Sequence, residues 1–152
     1  MACPFFMPTE KLENGSWSHP SRLPLGCGWS GYCTAPEHEG EAPSATELHD
    51  FCNLGYAQQC PRLPAERLWD SVRFGLCGAV GAAENIESHR IQVRYVCERG
   101  HLPADSGFLE FDLSRACWTK QHPDARVQRM AECFVVAQRE RRNHRVAEAA
   151  AS

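Results

Sequence analysis

The stretch Ile91-Gln-Val-Arg-Tyr-Val-Cys97 decides the fold of the second half of the chain. Apolar and polar residues alternate along it, so that one face of a β-strand collects Ile91, Val93, Tyr95 and Cys97. A second apolar run, Phe108-Leu-Glu-Phe-Asp-Leu113, follows a segment that contains two glycines. We expect the two runs to pair across a turn region over residues 100–107, which predicts a small antiparallel sheet.

Helical patterns flank this sheet in the sequence. Good helix formers run from Asp124 to about Arg145 with Val127, Met130, Ala131, Phe134, Val135 and Gln138 at helical spacing. We therefore predict a C-terminal helix that covers the sheet, followed by a frayed tail over residues 147–152. A second, short helix is expected after Pro64, because Leu68 and Val72 lie four positions apart.

The N-terminal segment, residues 1–64, has a different composition. It holds eight of the ten prolines and six of the eleven glycines, which predicts mostly irregular structure. One helix stands out, with Ser44 as N-cap, Glu47 as its capping-box partner, and Gly55 as the stop signal. This helix places Cys52 on the apolar face of its last turn.

These patterns predict an α+β fold: an irregular N-terminal cysteine-rich, metal-binding wrap with a short helix, then an antiparallel sheet covered by the C-terminal helix. We divide the chain into residues 1–64, 65–146 and the tail 147–152. At 152 residues these parts are expected to form one compact unit.

Composition and charge exclude several classes of protein. A hydrophobic content of 43% excludes a disordered chain, and no uncharged stretch is long enough for a membrane span. The N-terminus lacks the pattern of a secretory signal, so the cytoplasm is the expected location. The net charge of -3 argues against a nucleic-acid-binding role, although four arginines fall within Arg139–Arg145. No hydrolase or nucleotide-binding motif is present.

Nine cysteines are the main functional signal. An odd number cannot pair completely within one chain, and disulfides are rare in the cytoplasm, so metal ligation is the leading explanation. Five of the nine lie in the part of the chain that is rich in proline and glycine: Cys3, Cys27, Cys33, Cys52 and Cys60. The other four, Cys77, Cys97, Cys117 and Cys133, fall in periodic segments and are expected to be core thiols rather than a second site.

The spacing of the first five cysteines bears on the metal. No C-x2-4-C pair of the kind common in zinc sites is present, and the ferredoxin spacing C-x2-C-x2-C is absent too. Widely separated thiolates suit an iron-sulfur cluster, whose cage is reached from several segments. We predict a [4Fe-4S] cluster held by Cys3, Cys33, Cys52 and Cys60, with Cys27 as the alternate ligand and zinc as the alternative metal.

A family resemblance favours the same four cysteines. The segment Cys52-Asn-Leu-Gly-Tyr-Ala-Gln-Gln-Cys60-Pro-Arg-Leu-Pro, preceded by Cys33 and by an N-terminal Cys-Pro-Phe-Phe, resembles a small, poorly characterised family of bacterial cysteine-rich proteins suspected to hold an iron-sulfur cluster. The resemblance covers the N-terminal half of the chain, to about position 75, and implies no characterised activity.

Together these features predict a small iron-sulfur protein that transfers single electrons, or an accessory redox subunit of a larger oxidoreductase, and leave open whether the protein is itself an enzyme. The expected partner is a larger redox protein or a second copy of the chain. Tyr32, His49 and Tyr56 are candidates to lie around the cluster, and aromatic shielding is also expected from Phe5, Phe6 and Trp29. The alternative function is a zinc-stabilised or cluster-sensing regulatory protein that uses the Arg139–Arg145 helix end.

Overall fold

The computed structural model of the chain describes residues 1–13, 17–55, 57–77 and 89–151. The strands are β1 (Phe6–Lys11), β2 (Trp29–Cys33), β3 (Ser71–Leu76), β4 (Arg90–Arg99), β5 (Leu102–Asp112) and β6 (Cys117–Lys120). The α-helices are α1 (Ala45–Glu47), which continues into a π-helical turn (Leu48–Asn53), and α2 (Ala125–Ala150). Short 3-10 helices lie at Pro20–Arg22 and Ala57–Gln59. Two antiparallel sheets and a C-terminal helix confirm the predicted α+β class.

The larger sheet has the strand order β3-β4-β5-β6. Val93 in β4 lies opposite Leu109 in β5, and both are buried, as the alternating pattern predicts. The predicted turn over residues 100–107 is wrong in length, because β5 already begins at Leu102. Gly100 and His101 form the whole turn, with φ values of 57° and 64°. Two consecutive residues with positive φ match the tight hairpin turn whose twist suits antiparallel strands.

Helix α2 packs its apolar face against both sheets. Phe134 contacts Phe74 of β3 with ring centroids 5.9 Å apart, whereas Met130 belongs to the core cluster that contains Phe6 of β1. The helix begins after Asp124, whose carboxylate accepts hydrogen bonds from two backbone N–H groups of the first turn. It continues to Ala150, beyond the predicted end near Arg145, consistent with the good helix formers in that segment. In the described part of the chain no helix has both the length and the apolarity to cross a membrane.

A second, two-stranded sheet lies within the N-terminal segment, where we expected irregular structure apart from one helix. Strands β1 and β2 pair antiparallel, with Phe6 opposite Cys33 and Lys11 opposite Trp29. The register shifts between Pro8 and Glu10. Proline is tolerated in a strand at a bulge or at a sheet edge. The proline-rich composition therefore predicted irregular structure where β1 in fact forms.

The short helix predicted after Pro64 does not form. Val72 instead lies in β3, opposite Cys97 of β4. Its N–H donates to the Ala2 carbonyl at 3.0 Å, and its carbonyl accepts the Ala2 N–H at 2.7 Å. Val72 pairs with extended chain on both sides, with Ala2 and with Cys97. This pairing outweighs the weak helical pattern formed by Leu68 and Val72. Leu68, the other half of that pattern, is 72% exposed.

Candidate metal centre

Four cysteines from four separate segments line one small cavity. They are Cys3 near the N-terminus, Cys33 at the end of β2, Cys52 in the π-helical turn and Cys60 after it. The remaining lining residues are mostly apolar: Phe5, Phe6, Pro43, Glu47, Phe51 and Arg62. We call the set of four cysteines the thiol cluster. Its members are the cysteines that the sequence analysis selected as metal ligands.

Backbone contacts fix the position of Cys3. The hydrogen bonds between Ala2 and Val72 attach the N-terminus to β3. On the other side, Gly55 lies so close to Met1 that a Cβ on Gly55 would overlap the Met1 carbonyl oxygen. Gly55 also has a φ of 81°, a conformation that glycine adopts at little cost. The residues around Cys3 are therefore held between β3 and the end of the π-helical turn.

Cys33 is placed by the pairing of β1 and β2 and by the turn after it. The backbone N–H of Thr34 donates to the Phe5 carbonyl at 2.8 Å, and the Thr34 hydroxyl donates to the same oxygen at 2.8 Å. The Cys33 N–H donates to the Glu41 carbonyl at 2.9 Å. These bonds hold the Cys33 turn beside the N-terminal Cys-Pro-Phe-Phe sequence.

The position of Cys52 depends on the predicted capping box and on the buried side-chain amide of Asn53. The Glu47 N–H donates to the Ser44 hydroxyl at 3.2 Å, and the Ser44 N–H donates to the Glu47 carboxylate at 2.8 Å. Asn53, which is 3% exposed, accepts the Trp29 N–H and donates to the carbonyls of Trp29 and Leu48. The side chain of Asn53 thus fastens the π-helical turn to the start of β2.

Backbone N–H groups face three of the four sulfurs in the same local pattern. Ala35 N–H donates to Cys33 Sγ at 3.4 Å. Burial raises the pKa of Cys3 and of Cys60, and the N–H groups of Phe5 and Arg62 act against it by lowering these two pKa values. In each case the donor is two positions after the cysteine, so the chain turns around the sulfur. Such N–H groups stabilise thiolates and tune a metal bound to them.

Burial dominates the ionisation of the metal-free thiols. It raises the pKa of Cys3 to about 12 and raises the pKa of Cys52 strongly. The neighbouring thiols act in the same direction, because Cys33 and Cys60 each oppose ionisation of both buried cysteines. Cys33 and Cys60 themselves are half-buried. Ionising these four thiols would place like charges close together in an apolar cavity. They therefore lose their protons readily only when a cation binds to the sulfurs.

One arginine connects three of the four cysteine segments. Arg62 donates from Nε and Nη2 to the two carboxylate oxygens of Glu47, each at 3.0 Å, and from Nη1 to Glu41 at 3.0 Å. The side chains of Arg62 and Glu47 are only 17% and 16% exposed. The Ser44 N–H and the Arg62 guanidinium hold the pKa of Glu47 below its ordinary value. Arg62 is two positions after Cys60, Glu47 begins the turn that carries Cys52, and the Glu41 carbonyl accepts from Cys33.

The alternate ligand Cys27 lies elsewhere. It lines a separate cavity of about 600 Å³ with Lys11, Glu140 and Arg141. Lys11 and Glu140 form a salt bridge there. Burial raises the pKa of the Cys27 thiol, and Cys27 lies near enough to Cys133 of α2 to contribute to the raised pKa of that thiol. The structure therefore groups Cys27 with α2 and not with the thiol cluster.

The aromatic candidates divide in a similar way. Phe5 and Phe6 line the thiol-cluster cavity, whereas Trp29 and Tyr32 do not. Tyr32 immediately precedes Cys33 in β2, and side chains alternate along a strand, so the two point to opposite faces. Tyr56 falls outside the described residues. Phe51 also lines the cavity and was not predicted, although its position next to Cys52 in an apolar helical pattern was a usable signal.

His49 also lies away from the cavity lining. Its ring stacks on Trp17 with centroids 4.9 Å apart, and its Nδ1 is 2.6 Å from an Asp50 carboxylate oxygen. These contacts with Trp17 and Asp50 explain the position of the His49 ring, and neither involves the thiol cluster.

The four later cysteines do not share one environment. Cys97 and Cys133 are buried, as predicted for core thiols, and burial raises the pKa of each to about 12. Cys77 is half-buried. Cys117 is exposed in β6, so its assignment to the core is wrong. Strand β6 has only four residues, which is too short for a periodic pattern to show in the sequence.

One further group of possible ligands stands out in the described residues. Ligand atoms of Cys97, Asp105 and His122 all lie within 4.8 Å of one another, and His122 Nε2 is buried without a hydrogen-bond partner. However, Nδ1 of His122 accepts the backbone N–H of Asp124 at 3.0 Å. The neutral ring must then carry its proton on Nε2, which leaves no lone pair there for a metal. Metal-bound histidines instead donate a hydrogen bond from the other nitrogen.

The arginine run in α2 is partly engaged within the chain. Arg141 donates to the carbonyls of Ser21 and Gly26 at 3.3 and 3.1 Å, and Arg139 lies over the Phe111 ring at 5.6 Å. These contacts give two of the four arginines a role in packing.

Comparison of the chain with protein-family models, with curated proteins and with solved structures finds no match. The resemblance to cluster-binding bacterial proteins therefore stays a prediction.

Proposed function

We propose that this protein is a small iron-sulfur protein in which the thiol cluster holds a [4Fe-4S] cluster for single-electron transfer. The observation that carries the proposal is that Cys3, Cys33, Cys52 and Cys60 line one largely apolar cavity although long stretches of chain separate them. Core packing alone does not require four thiols from four segments at one place. A [4Fe-4S] cluster takes four thiolates.

The surroundings support ligation. N–H groups face three sulfurs, and the aromatic rings of Phe5, Phe6 and Phe51 line the cavity and limit its access to water. Such rings and N–H groups set the potential of an iron-sulfur centre, because they control its solvent access and the charge on its sulfurs. A bound cluster would supply reversible one-electron chemistry. The chain would bind it, exclude water from it and hold its ligands ionised.

The spacing of the sulfurs bears on the choice between a cluster and zinc. With Zn–S bonds of about 2.3 Å, the four sulfurs of a tetrahedral zinc site lie about 3.8 Å apart. Among the described residues, no three cysteine sulfurs come within 4.8 Å of one another. Zinc binding would therefore require some of these sulfurs to move closer together. The cavity of about 20 Å³ is small for a cluster, so loading requires side chains at its wall to move outward.

Half-buried cysteines provide the cleanest substitution test. We expect Cys33→Ser and Cys60→Ser to lower the iron content of anaerobically purified protein at least about tenfold, because each removes one of four thiolates. Cys27→Ser is the matched control and should retain iron at the wild-type level. Loss of iron in Cys27→Ser together with retention in Cys33→Ser would contradict the ligand assignment.

The accessible edge of the site indicates where electrons would pass. Cys33 and Cys60 are half-buried, whereas Cys3 and Cys52 are buried. A redox partner would approach most closely at the Cys33 and Cys60 edge, and we infer that this partner is a larger redox protein of the cytoplasm. The matching experiment is the rate of electron transfer to a small charged soluble acceptor. The rate should depend on salt, because salt screens the charges of Arg62 and Glu41, which lie beside Cys60 and Cys33. A rate independent of salt would contradict the assignment.

A further inference from the structure

We propose that Arg62 is the positioning residue of the thiol cluster and that its charge raises the reduction potential of the cluster held there. This inference rests on the proposed function, and it adds a residue that controls the site. Arg62 is the single cation among the described residues that line the thiol-cluster cavity.

Arg62 holds the cysteine segments in register. The segments that carry Cys33, Cys52 and Cys60 are separate in the sequence, so contacts between them must fix their relative positions. The two parallel hydrogen bonds from Arg62 to Glu47, with the third to Glu41, join these segments. A forked guanidinium suits this task, since it forms paired bonds of fixed geometry that a lysine ammonium cannot form.

Arg62 also acts on the site through its charge. A cube with four thiolates carries a net negative charge, and reduction by one electron makes that charge more negative. A fixed cation beside the thiols favours the reduced form, whereas a fixed anion opposes it. Arg62 and Glu47 both line the cavity and are largely shielded from water, which limits solvent screening of their charges. Removing either charge should therefore shift the potential, and in opposite directions.

The test is a potentiometric titration of anaerobically purified protein, with dithionite as the electron donor and iron content measured in parallel. We expect Arg62→Gln to lower the midpoint potential and Glu47→Gln to raise it. Arg62→Lys should restore the potential towards the wild-type value, because it restores the positive charge. Its iron content should stay below that of the wild type, because lysine cannot form the paired hydrogen bonds of the guanidinium. Arg67→Gln is the matched control: Arg67 is half-buried and paired with an aspartate, Asp70, but does not line the cavity.

The outcomes separate the two proposals. Wild-type protein without iron would overturn the proposed function and this inference with it. Wild-type protein with iron, together with an Arg62→Gln potential equal to that of Arg67→Gln, would overturn only the inference. Shifts of the same sign in Arg62→Gln and Glu47→Gln would overturn the electrostatic role. If Arg62→Gln fails to load iron, the sign of the Glu47→Gln shift decides, and a shift to lower potential would overturn the role.

Discussion

Gly55 lies directly against the backbone of Met1, and this contact joins the segment that carries Cys3 to the turn that carries Cys52. No side chain fits between them, because a Cβ on Gly55 would overlap the Met1 carbonyl oxygen. The close approach matters for function as well as stability. It helps to hold two cysteines that are distant in the sequence in one cavity.

Gly55→Ala is therefore expected to be strongly destabilising. The positive φ alone costs about 1–2 kcal/mol for a residue with a Cβ, and displacing the Met1 backbone adds roughly 1–3 kcal/mol. Gly40→Ala is the matched control, since Gly40 has the same φ of 81° but no atom within 4 Å of the added Cβ. The difference between the two variants in the free energy of unfolding, measured by urea denaturation, gives the contribution of the contact with Met1. Equal losses of stability in the two variants would contradict its importance.

Asn53→Ala tests the link between the π-helical turn and β2. The substitution leaves the N–H and carbonyl of Trp29 without their partner, in a buried place. Each unpaired buried group costs about 1–3 kcal/mol, so we expect a loss of about 3 kcal/mol in the free energy of unfolding. Ser30→Ala, which removes an exposed hydrogen bond of 3.3 Å to Glu10, should change it by less than about 0.5 kcal/mol. An Asn53→Ala variant as stable as Ser30→Ala would refute this role.

The stability of the metal-free, reduced protein should fall in alkaline solution. Burial raises the pKa of Cys97 and Cys133 from 9.0 to about 12 in the folded state. Between these values the unfolded chain loses thiol protons that the folded chain keeps, so the unfolded state binds fewer protons and stability decreases as pH rises. The contribution is fully present below about pH 9. Urea midpoints measured with a reductant at pH 8 and pH 10.5 check this, and a higher midpoint at pH 10.5 would contradict it.

Alkylation of the native protein should distinguish the cysteines by exposure and by ligation. We expect iodoacetamide to modify the exposed Cys117 first and to leave Cys97 and Cys133 unmodified until the protein unfolds. Cys33 and Cys60 are half-buried, and they should be protected while metal is bound and become reactive after chelation. Mass spectrometry of the modified peptides gives the order. Rapid modification of Cys133 in folded protein would contradict the described packing.

Much of the fold followed from the sequence where the pattern was long. The alternation in β4 and the helical spacing in α2 predicted a sheet and its covering helix, since long periodic segments override local exceptions. The capping box at Ser44 and Glu47 was also predicted, because it depends on positions three apart. Strands β1, β2 and β6 were missed for the opposite reason. They are short, and pairing with other strands stabilises them rather than any pattern of their own.

For the site, the sequence predicted the four cysteines but not most of the contacts that position them. The irregular composition around Cys3, Cys33, Cys52 and Cys60 indicated ligation, and the structure places these four thiols around one cavity. The separation of Cys27 from them was not visible, because its glycine neighbours resemble those of Cys33. Nor could the sequence show Arg62 reaching Glu47 and Glu41, which are 15 and 21 positions away. Such contacts depend on the tertiary fold.

Metal analysis of the wild-type protein, purified anaerobically and without added metal, tests the central claim most directly. We predict about four irons and about four acid-labile sulfides per chain, with the broad visible absorbance of thiolate-bound iron. One zinc per chain without iron or sulfide would contradict the cluster and would leave the thiol cluster as a zinc site.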